Sequence, residues 1–350
     1  MRNAGLIVAV LLLQGCGNFS YYLQSVGGQF DVWRREVPIE RLLEDPAIAP
    51  PLKAQLERAL RIRDYASREL GLPDNRSYRA YADLARPFVV WNVFATPEFS
   101  VEPRQWCFAV AGCVNYRGYF DEAEARTHAR ALATEGYDVY IGGVPAYSTL
   151  GWFADPVLNT FIHYPEPELA RLLFHELAHQ VAYVRDDTVF NESFATVVER
   201  AGVARWLAQH GGDADREQFA KLQRYRADFR RLVTKTRTEL AALYAGDADP
   251  EQKRRLKAAA FAALKREHLE RKVDWGGFSG FDRWFAQSLG NAHLASVIIY
   301  TQQVPAFEAL LRENGDDLPR FYIAVKALAA QRAEVRNARL AALASGAAGR

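Results

Sequence analysis

The sequence has 350 residues, 49% of them hydrophobic, which suffices for one large domain or two tightly joined lobes with a sizeable core. Its 44 basic and 42 acidic residues give a net charge of +2, which excludes the strongly basic surface typical of nucleic-acid-binding proteins. The composition therefore favours a globular protein without a nucleic-acid partner.

The first sixteen residues have the pattern of a bacterial lipoprotein signal peptide. A basic start at Arg2 precedes the apolar run Leu6–Leu13, which is too short to cross a membrane as a helix. The segment that ends at Cys16 resembles the lipobox, which implies that Cys16 is lipidated and becomes the first mature residue. We therefore expect a membrane-anchored envelope protein, and Gly17 favours the outer membrane, facing the periplasm. A soluble protein with a chance apolar run is the alternative.

The remaining residues, 17–350, are predicted to form one domain with a sheet-containing lobe over 17–165 and a helical lobe over 166–350. The first lobe begins with helical patterns over Ile39–Leu72. Alternating apolar patterns and an intervening amphipathic segment then predict a small sheet with one helix. The predicted strands are Pro87–Phe94, Tyr137–Val144 and Leu158–Tyr164, and the predicted helix is Glu122–Glu135.

Two cysteines lie in this first lobe. If Cys16 carries the lipid, Cys107 and Cys113 remain, and an oxidising periplasm favours a disulfide that closes a small loop. A redox or metal role is the alternative, but the spacing is not CxxC and no histidine is nearby in sequence. The closed loop would brace either a β-hairpin or a substrate-facing lobe.

The segment His175–His179 reads HELAH, the spacing of a zinc hydrolase motif. It follows Pro165–Glu168, whose prolines and acids are typical of a helix start. Residues four apart lie on one face of a helix, so His175 and His179 can bind one Zn²⁺ per chain. Glu176 is then the expected general base for the attacking water. A chance match on a surface helix is the alternative, but the apolar stripe between the polar residues predicts a partly buried helix.

A catalytic zinc site needs a third protein ligand and one open position. Glu192 is the candidate, thirteen residues after His179, in a second predicted helix over Asn191–Ala208. A polar turn at Arg185–Thr188 would return this helix to the first one. Glu199, two turns later on nearly the same face, is the fallback ligand or an acid that orients a histidine. Alternatively, both acids are solvated surface groups.

The segment from Asp215 to Lys272 predicts an antiparallel helical hairpin inserted in the second lobe, with a break at Gly246–Pro250. Its many charges indicate a solvated face, and a lid or partner-docking arm is the functional alternative.

Several motifs resemble known families. HELAHQ and the following FNESFA are similar to the HExxH and NEGFA elements of M1-type aminopeptidases, within the gluzincin group that includes thermolysin. Longer motifs resemble a family of bacterial lipoproteins described as aminopeptidases. These motifs are YYLQSVGGQ at Tyr21, WCFAVAGCVNYRGYF at Trp106, GGVPAYSTLGWFADPVLNTF at Gly142, HELAHQVAYVRDDTVFNESFA at His175 and FDRWFAQSLGNAHLASVIIYTQQVPAF at Phe281.

The resemblance implies an α+β, mainly α, zincin-like fold with bound zinc and a peptide substrate. Two departures stand out. The loop between the two ligand elements is shorter than in the M1-type and other gluzincin enzymes, and Gly142–Phe153 lacks the glutamate with which the corresponding GAMEN segment binds a substrate amine. The second departure leaves amino-terminal and internal cleavage both open.

Hydrolysis also needs a donor for the oxyanion that forms when water attacks. We expect His293 or Tyr300, because related enzymes take this group from downstream of the metal ligands. Tyr147 and Tyr183 are the other candidates, although a buried tyrosine is more often a core residue.

The sequence thus predicts a zinc peptidase and favours an aminopeptidase. One alternative is a non-catalytic envelope lipoprotein of zincin fold with a structural metal, and another is a zinc endopeptidase. The sequence leaves the oligomeric state open.

Overall fold

The computed structural model describes residues 21–108, 112–298 and 302–348. The helices, α1 to α13 in chain order, are residues 21–34, Ile39–Glu44, Pro50–Arg68, Glu122–Thr134, Glu166–His179, Thr188–His210, Asp213–Ala245, Pro250–Asp274, Asp282–Phe285, Asn291–Ile298, Val304–Glu313, Leu318–Ala329 and Ala333–Ala348. The strands, β1 to β8, are Val37–Pro38, Ala80–Ala82, Val90–Pro97, Trp106–Phe108, Gly112–Val114, Arg117–Tyr119, Tyr137–Val144 and Val157–Leu158.

The protein is mainly helical with small sheets, as predicted for the fold class. Where one mixed sheet was expected, the described residues form separate small ones. The order β6-β3-β7 makes an antiparallel sheet, β1-β2-β8 makes a mixed sheet of very short strands, and β4-β5 is a hairpin. Strand β7 is an edge of the antiparallel sheet, and it leads towards the α5 helix.

Two of the predicted strands differ from the structure. The strand predicted over Pro87–Phe94 lies further along the chain, since β3 begins at Val90 and ends at Pro97. The prediction of a strand over Leu158–Tyr164 was wrong beyond its first residue, because β8 ends at Leu158 and the chain then turns. The apolar run arises because this turn buries Phe161 and Ile162 completely in the core.

The largest core lies around α5 and α6. Phenylalanines from these helices and from α11 and α12 meet there with no exposed surface; they are Phe174, Phe190, Phe194, Phe307 and Phe321. A second core joins the α7–α8 hairpin to the segment around α9, with Phe229 stacked on Phe281. The helical hairpin predicted over 215–272 is therefore present, and one side of it is packed rather than solvated.

The disulfide between Cys107 and Cys113 is present and joins directly opposed residues of the β4–β5 hairpin. The disulfide-closed loop was expected to brace either a β-hairpin or a substrate-facing lobe, and the structure shows it in a hairpin. The Cys113 N–H donates to Asp186 Oδ1 at 2.5 Å, in the loop between α5 and α6. The disulfide-closed hairpin therefore contacts the connection between the two helices that carry the predicted ligands.

No helix in the described ranges has the length and apolar character needed to cross a membrane.

Candidate metal centre

The α5–α6 connection aligns the two ligand-bearing helices. Asp187 caps α6 by accepting from Phe190 N–H at 3.0 Å, so the helix begins at Thr188, three residues before the predicted start. The Asn191 side chain accepts from Val184 N–H at 2.7 Å and donates to Val184 C=O at 2.8 Å. These bonds close the turn tightly and direct the first turn of α6, with Glu192, towards α5.

The three predicted ligands converge. Their ligand atoms lie within 4.8 Å of one another, and no other such group of three His, Cys, Asp or Glu occurs in the described ranges. His175 Nε2 is 3.2 Å from Glu192 Oε2, and His179 Nε2 is 3.8 Å from Glu192 Oε1. Two ligands of a tetrahedral zinc ion lie about 3.3 Å apart at usual bond lengths. The donor set and its spacing therefore fit zinc.

Glu199 lies behind His175 and not among the ligands. His175 Nδ1 donates to Glu199 Oε2 at 3.0 Å, and Arg171 donates to the same oxygen at 3.0 Å. A carboxylate on the far nitrogen fixes the orientation of a metal-binding imidazole and makes it more basic. Of the two roles open for Glu199, the geometry matches the orienting acid.

A chain of charges extends from Glu199 to the helical hairpin. Arg171 also donates to Glu168 at 3.0 Å, and Arg226 on α7 makes two hydrogen bonds to the same carboxylate, at 2.9 and 2.6 Å. Paired, hydrogen-bonded ions of this kind tolerate burial, whereas removal of one partner leaves the other uncompensated. The α7 helix thereby supports the environment of His175.

The acids around His175 favour its protonated form. Burial alone lowers the pKa of His175, but hydrogen bonds and charges from Glu192 and Glu199 outweigh burial and raise the pKa to about 10. Burial lowers the pKa of His179 to about 4. Burial tends to raise the pKa of Glu192, yet the two histidines outweigh it and lower this pKa. Metal and proton therefore compete for His175.

Glu176 lies beside the ligands without joining them. It lines a cavity next to His175 and Glu199. Burial is the main cause that raises its pKa to about 7, with the charges of Glu192 and Asp155 adding to it against that of His175. A general base works best when its pKa is near the working pH, so Glu176 has the properties expected of the catalytic base.

The oxyanion-donor candidates lie in different places. His293 is buried against Tyr140, its Nδ1 accepts from Gly290 N–H at 3.2 Å, and Nε2 therefore carries the proton of the neutral ring. None of the contacts of His293 in the described ranges reaches a metal ligand, so its role stays a prediction. Tyr300 lies outside the described residues, as does Cys16. The Tyr147 hydroxyl donates to Gln29, away from the ligands.

Three tyrosines lie near the centre. Glu192 is among the charges that raise the pKa of Tyr183 and of Tyr116, after burial as the main cause. The fully buried Tyr78 has a pKa raised first by burial and then by Glu176, and its backbone has the left-handed φ of 63° that is rare outside glycine. Sequence reasoning named only Tyr183. The aromatic motif around the cysteines was the available signal for Tyr116, and no pattern pointed to Tyr78.

The comparisons with known proteins identify the family of the chain. A model of the family described as "Putative aminopeptidase" matches residues 20–340, a range that includes the three predicted ligands. The chain belongs to this aminopeptidase family. Membership in the aminopeptidase family confirms the resemblance at family level and supports peptidase activity in coarse terms. No curated protein and no solved structure matches the chain.

Proposed function

We propose that this protein is a zinc-dependent peptidase of zincin-like fold, and that it cleaves as an aminopeptidase. The convergence of His175, His179 and Glu192 on one buried point, with Glu176 beside it, carries the proposal. Bound zinc would supply Lewis-acid polarisation of a carbonyl and lower the pKa of a water molecule. Two histidines and one glutamate leave the open position that such chemistry requires.

The chain's own residues supply the remaining chemistry. The Glu176 carboxylate accepts the proton of the attacking water and returns it to the leaving amine. Glu199 keeps His175 oriented throughout, because the Glu199 carboxylate accepts hydrogen bonds from both His175 and Arg171. We propose that a hydroxyl from Tyr116 or Tyr183 donates to the developing oxyanion, because the charge of Glu192 acts on both side chains.

Metal analysis combined with a peptide-library cleavage assay tests this function. We expect one zinc ion per chain and turnover of at least part of the library, both lost after chelation and restored by zinc. Zinc at full occupancy without turnover would instead support a non-catalytic envelope protein with a structural metal.

A comparison of blocked and free peptides tests the position of the cleaved bond. An aminopeptidase recognises the substrate's ammonium group, so N-acetylation is expected to reduce kcat/KM by about tenfold or more, the scale of a lost charge-assisted hydrogen bond. The measurement uses the same peptide with a free and an acetylated amine. Equal rates would identify an endopeptidase.

We also propose that Cys16 anchors the protein by lipid to the envelope membrane, and the exposed side chains of α1 offer a test of this anchor. An apolar stripe on this helix is exposed, with Leu23 at 56%, Val26 at 68% and Phe30 at 62%. Five residues reach at most about 18 Å, so an anchor at Cys16 would hold Tyr21 within that distance of the bilayer. The stripe continues through Trp33, whose ring contacts Phe153 in the loop between β7 and β8. The neighbouring Trp152 in this loop is 76% exposed. A bilayer surface is the partner that fits this stripe.

Fluorescence of the full-length lipoprotein in vesicles with brominated acyl chains tests the membrane contact. We expect quenching, and we expect Trp152→Phe to remove a large part of the quenched signal. The buried Trp275 provides the reference for unquenched emission. Absence of quenching in the wild type would contradict the docking of this surface.

A further inference from the structure

A cavity of about 280 Å³ adjoins the metal centre on the side of His175 and Glu176. Its walls come from α5, α6 and α7 and from the residues Val144–Ala146 at the end of the edge strand β7. A larger cavity of about 760 Å³ lies next to it, and Arg200 and Arg230 line both. A substrate group that extends from the scissile bond along β7 would enter this space.

Four arginines line the smaller cavity, and three of them are paired. Arg171 and Arg226 bind Glu168, Arg171 also binds Glu199, and Arg200 donates to Glu308 at 2.7 Å. The fourth, Arg230, is partly buried, yet it makes no ion pair or hydrogen bond with any part of the chain that the structure describes. One guanidinium in the cavity therefore has no direct partner among the described residues.

A second donor in the same wall is also unused. Gln223 lies on α7 two turns before Arg230, and its buried Nε2 has no hydrogen-bond acceptor in the described ranges. A buried amide donor without an acceptor costs free energy, as does a partly buried cation without an anion. The two vacant donors call for the same kind of partner, one with acceptor oxygens and negative charge.

No acid in the described ranges forms an ion pair or a hydrogen bond with Arg230. Burial, followed by the charges of Arg200 and Arg226, lowers the pKa of Arg230 to about 10, while the charges of Glu199 and Glu308 oppose this shift, so the group remains charged at neutral pH. The carboxylates that line the cavity are Glu176 and Glu199, of which the first is the proposed base and the second already binds His175 and Arg171.

We propose that this cavity is a substrate subsite for a carboxylate, which Arg230 and Gln223 bind next to the scissile peptide bond. The inference rests on the proposed peptidase function and adds the class of substrate. The carboxylate belongs either to an acidic side chain or to a free carboxy terminus close to the cleaved bond. The charge of Arg230 repels an ammonium group, so we expect a substrate amine to lie on the opposite side of the metal centre.

Binding of matched peptides tests the subsite. Alanine tetrapeptides with Glu or Gln at each position in turn, each with a free or an amidated carboxy terminus, are titrated into the zinc-loaded full-length protein carrying Glu176→Gln. We expect the preferred acidic peptide to bind about tenfold or more tightly than its uncharged counterpart. Weaker binding of the Gln peptides than of the Glu peptides would show that the subsite takes a side-chain carboxylate. Weaker binding of the amidated peptides than of the free ones would show that it takes a terminal carboxylate. Arg230→Gln is expected to abolish the preference, and Arg230→Lys to restore part of it.

Arg224→Gln is the matched control, because Arg224 lies on the same helix, is exposed and lines none of the cavities described above. It removes one positive charge and should leave the preference intact. Equal binding of charged and uncharged peptides, or a preference that survives Arg230→Gln, would overturn the subsite. Arg230-dependent binding without cleavage by the wild type would instead overturn the peptidase function and leave the subsite standing.

Discussion

Replacing Glu176 with glutamine is expected to abolish peptide hydrolysis while the protein keeps one zinc ion per chain. Glutamine has nearly the same shape but cannot accept the proton of the attacking water, and loss of a general base typically costs about 10²- to 10⁴-fold in rate. The ligands His175, His179 and Glu192 remain in place, since Glu176 makes no hydrogen bond to them. Zinc content and kcat are measured on the same preparation.

Glu166→Gln is a suitable control for this variant, because Glu166 lies at the start of the same helix and bonds Trp206 rather than a ligand. It should change kcat little. Undiminished turnover in Glu176→Gln would contradict the mechanism, and loss of zinc in that variant would show that Glu176 is a ligand.

Glu192→Gln and Glu199→Gln are expected to differ sharply in zinc affinity. The first removes the charged ligand and should abolish stoichiometric binding. The second leaves the three ligands and removes only the carboxylate that holds His175 Nδ1, for which a loss of about 10- to 100-fold in affinity is typical. Competition with a chelator of known affinity measures both. Glu199→Gln also leaves Arg171 with one acceptor fewer, so its unfolding should be followed in parallel.

The reverse order of affinities would show that Glu199 is the third ligand and that α6 presents a different turn to the metal. Equal and small effects would remove the basis for a metal at this site.

Local patterns predicted which three side chains converge. The spacing of His175 and His179 fixes both side chains on one helical face, and the acids and prolines before them mark where α5 begins. The strand-like pattern over Tyr137–Val144 likewise predicted β7 with the bounds that the structure shows. The role of Glu199 needed the structure, because a helical face alone does not distinguish a ligand from a residue behind one.

Residues brought in from distant parts of the chain could not be predicted. Tyr78 and Tyr116 precede α5 by many residues, and their proximity to Glu176 and Glu192 depends on how whole elements pack. The strand predicted over Leu158–Tyr164 failed for the same reason, since apolar residues pack equally well in a buried turn. Arg230 gave no signal either, because one arginine among many on α7 becomes distinctive only when its neighbours are paired.

The α7–α8 hairpin has a consequence for engineering this protein. Long helical insertions are usually regarded as exchangeable modules that can be shortened or grafted without touching the chemistry. Here Arg226 of the hairpin neutralises Glu168, Glu168 shares Arg171 with Glu199, and Glu199 holds His175. A shortened or transplanted hairpin would therefore carry part of the metal site's electrostatic balance away with it.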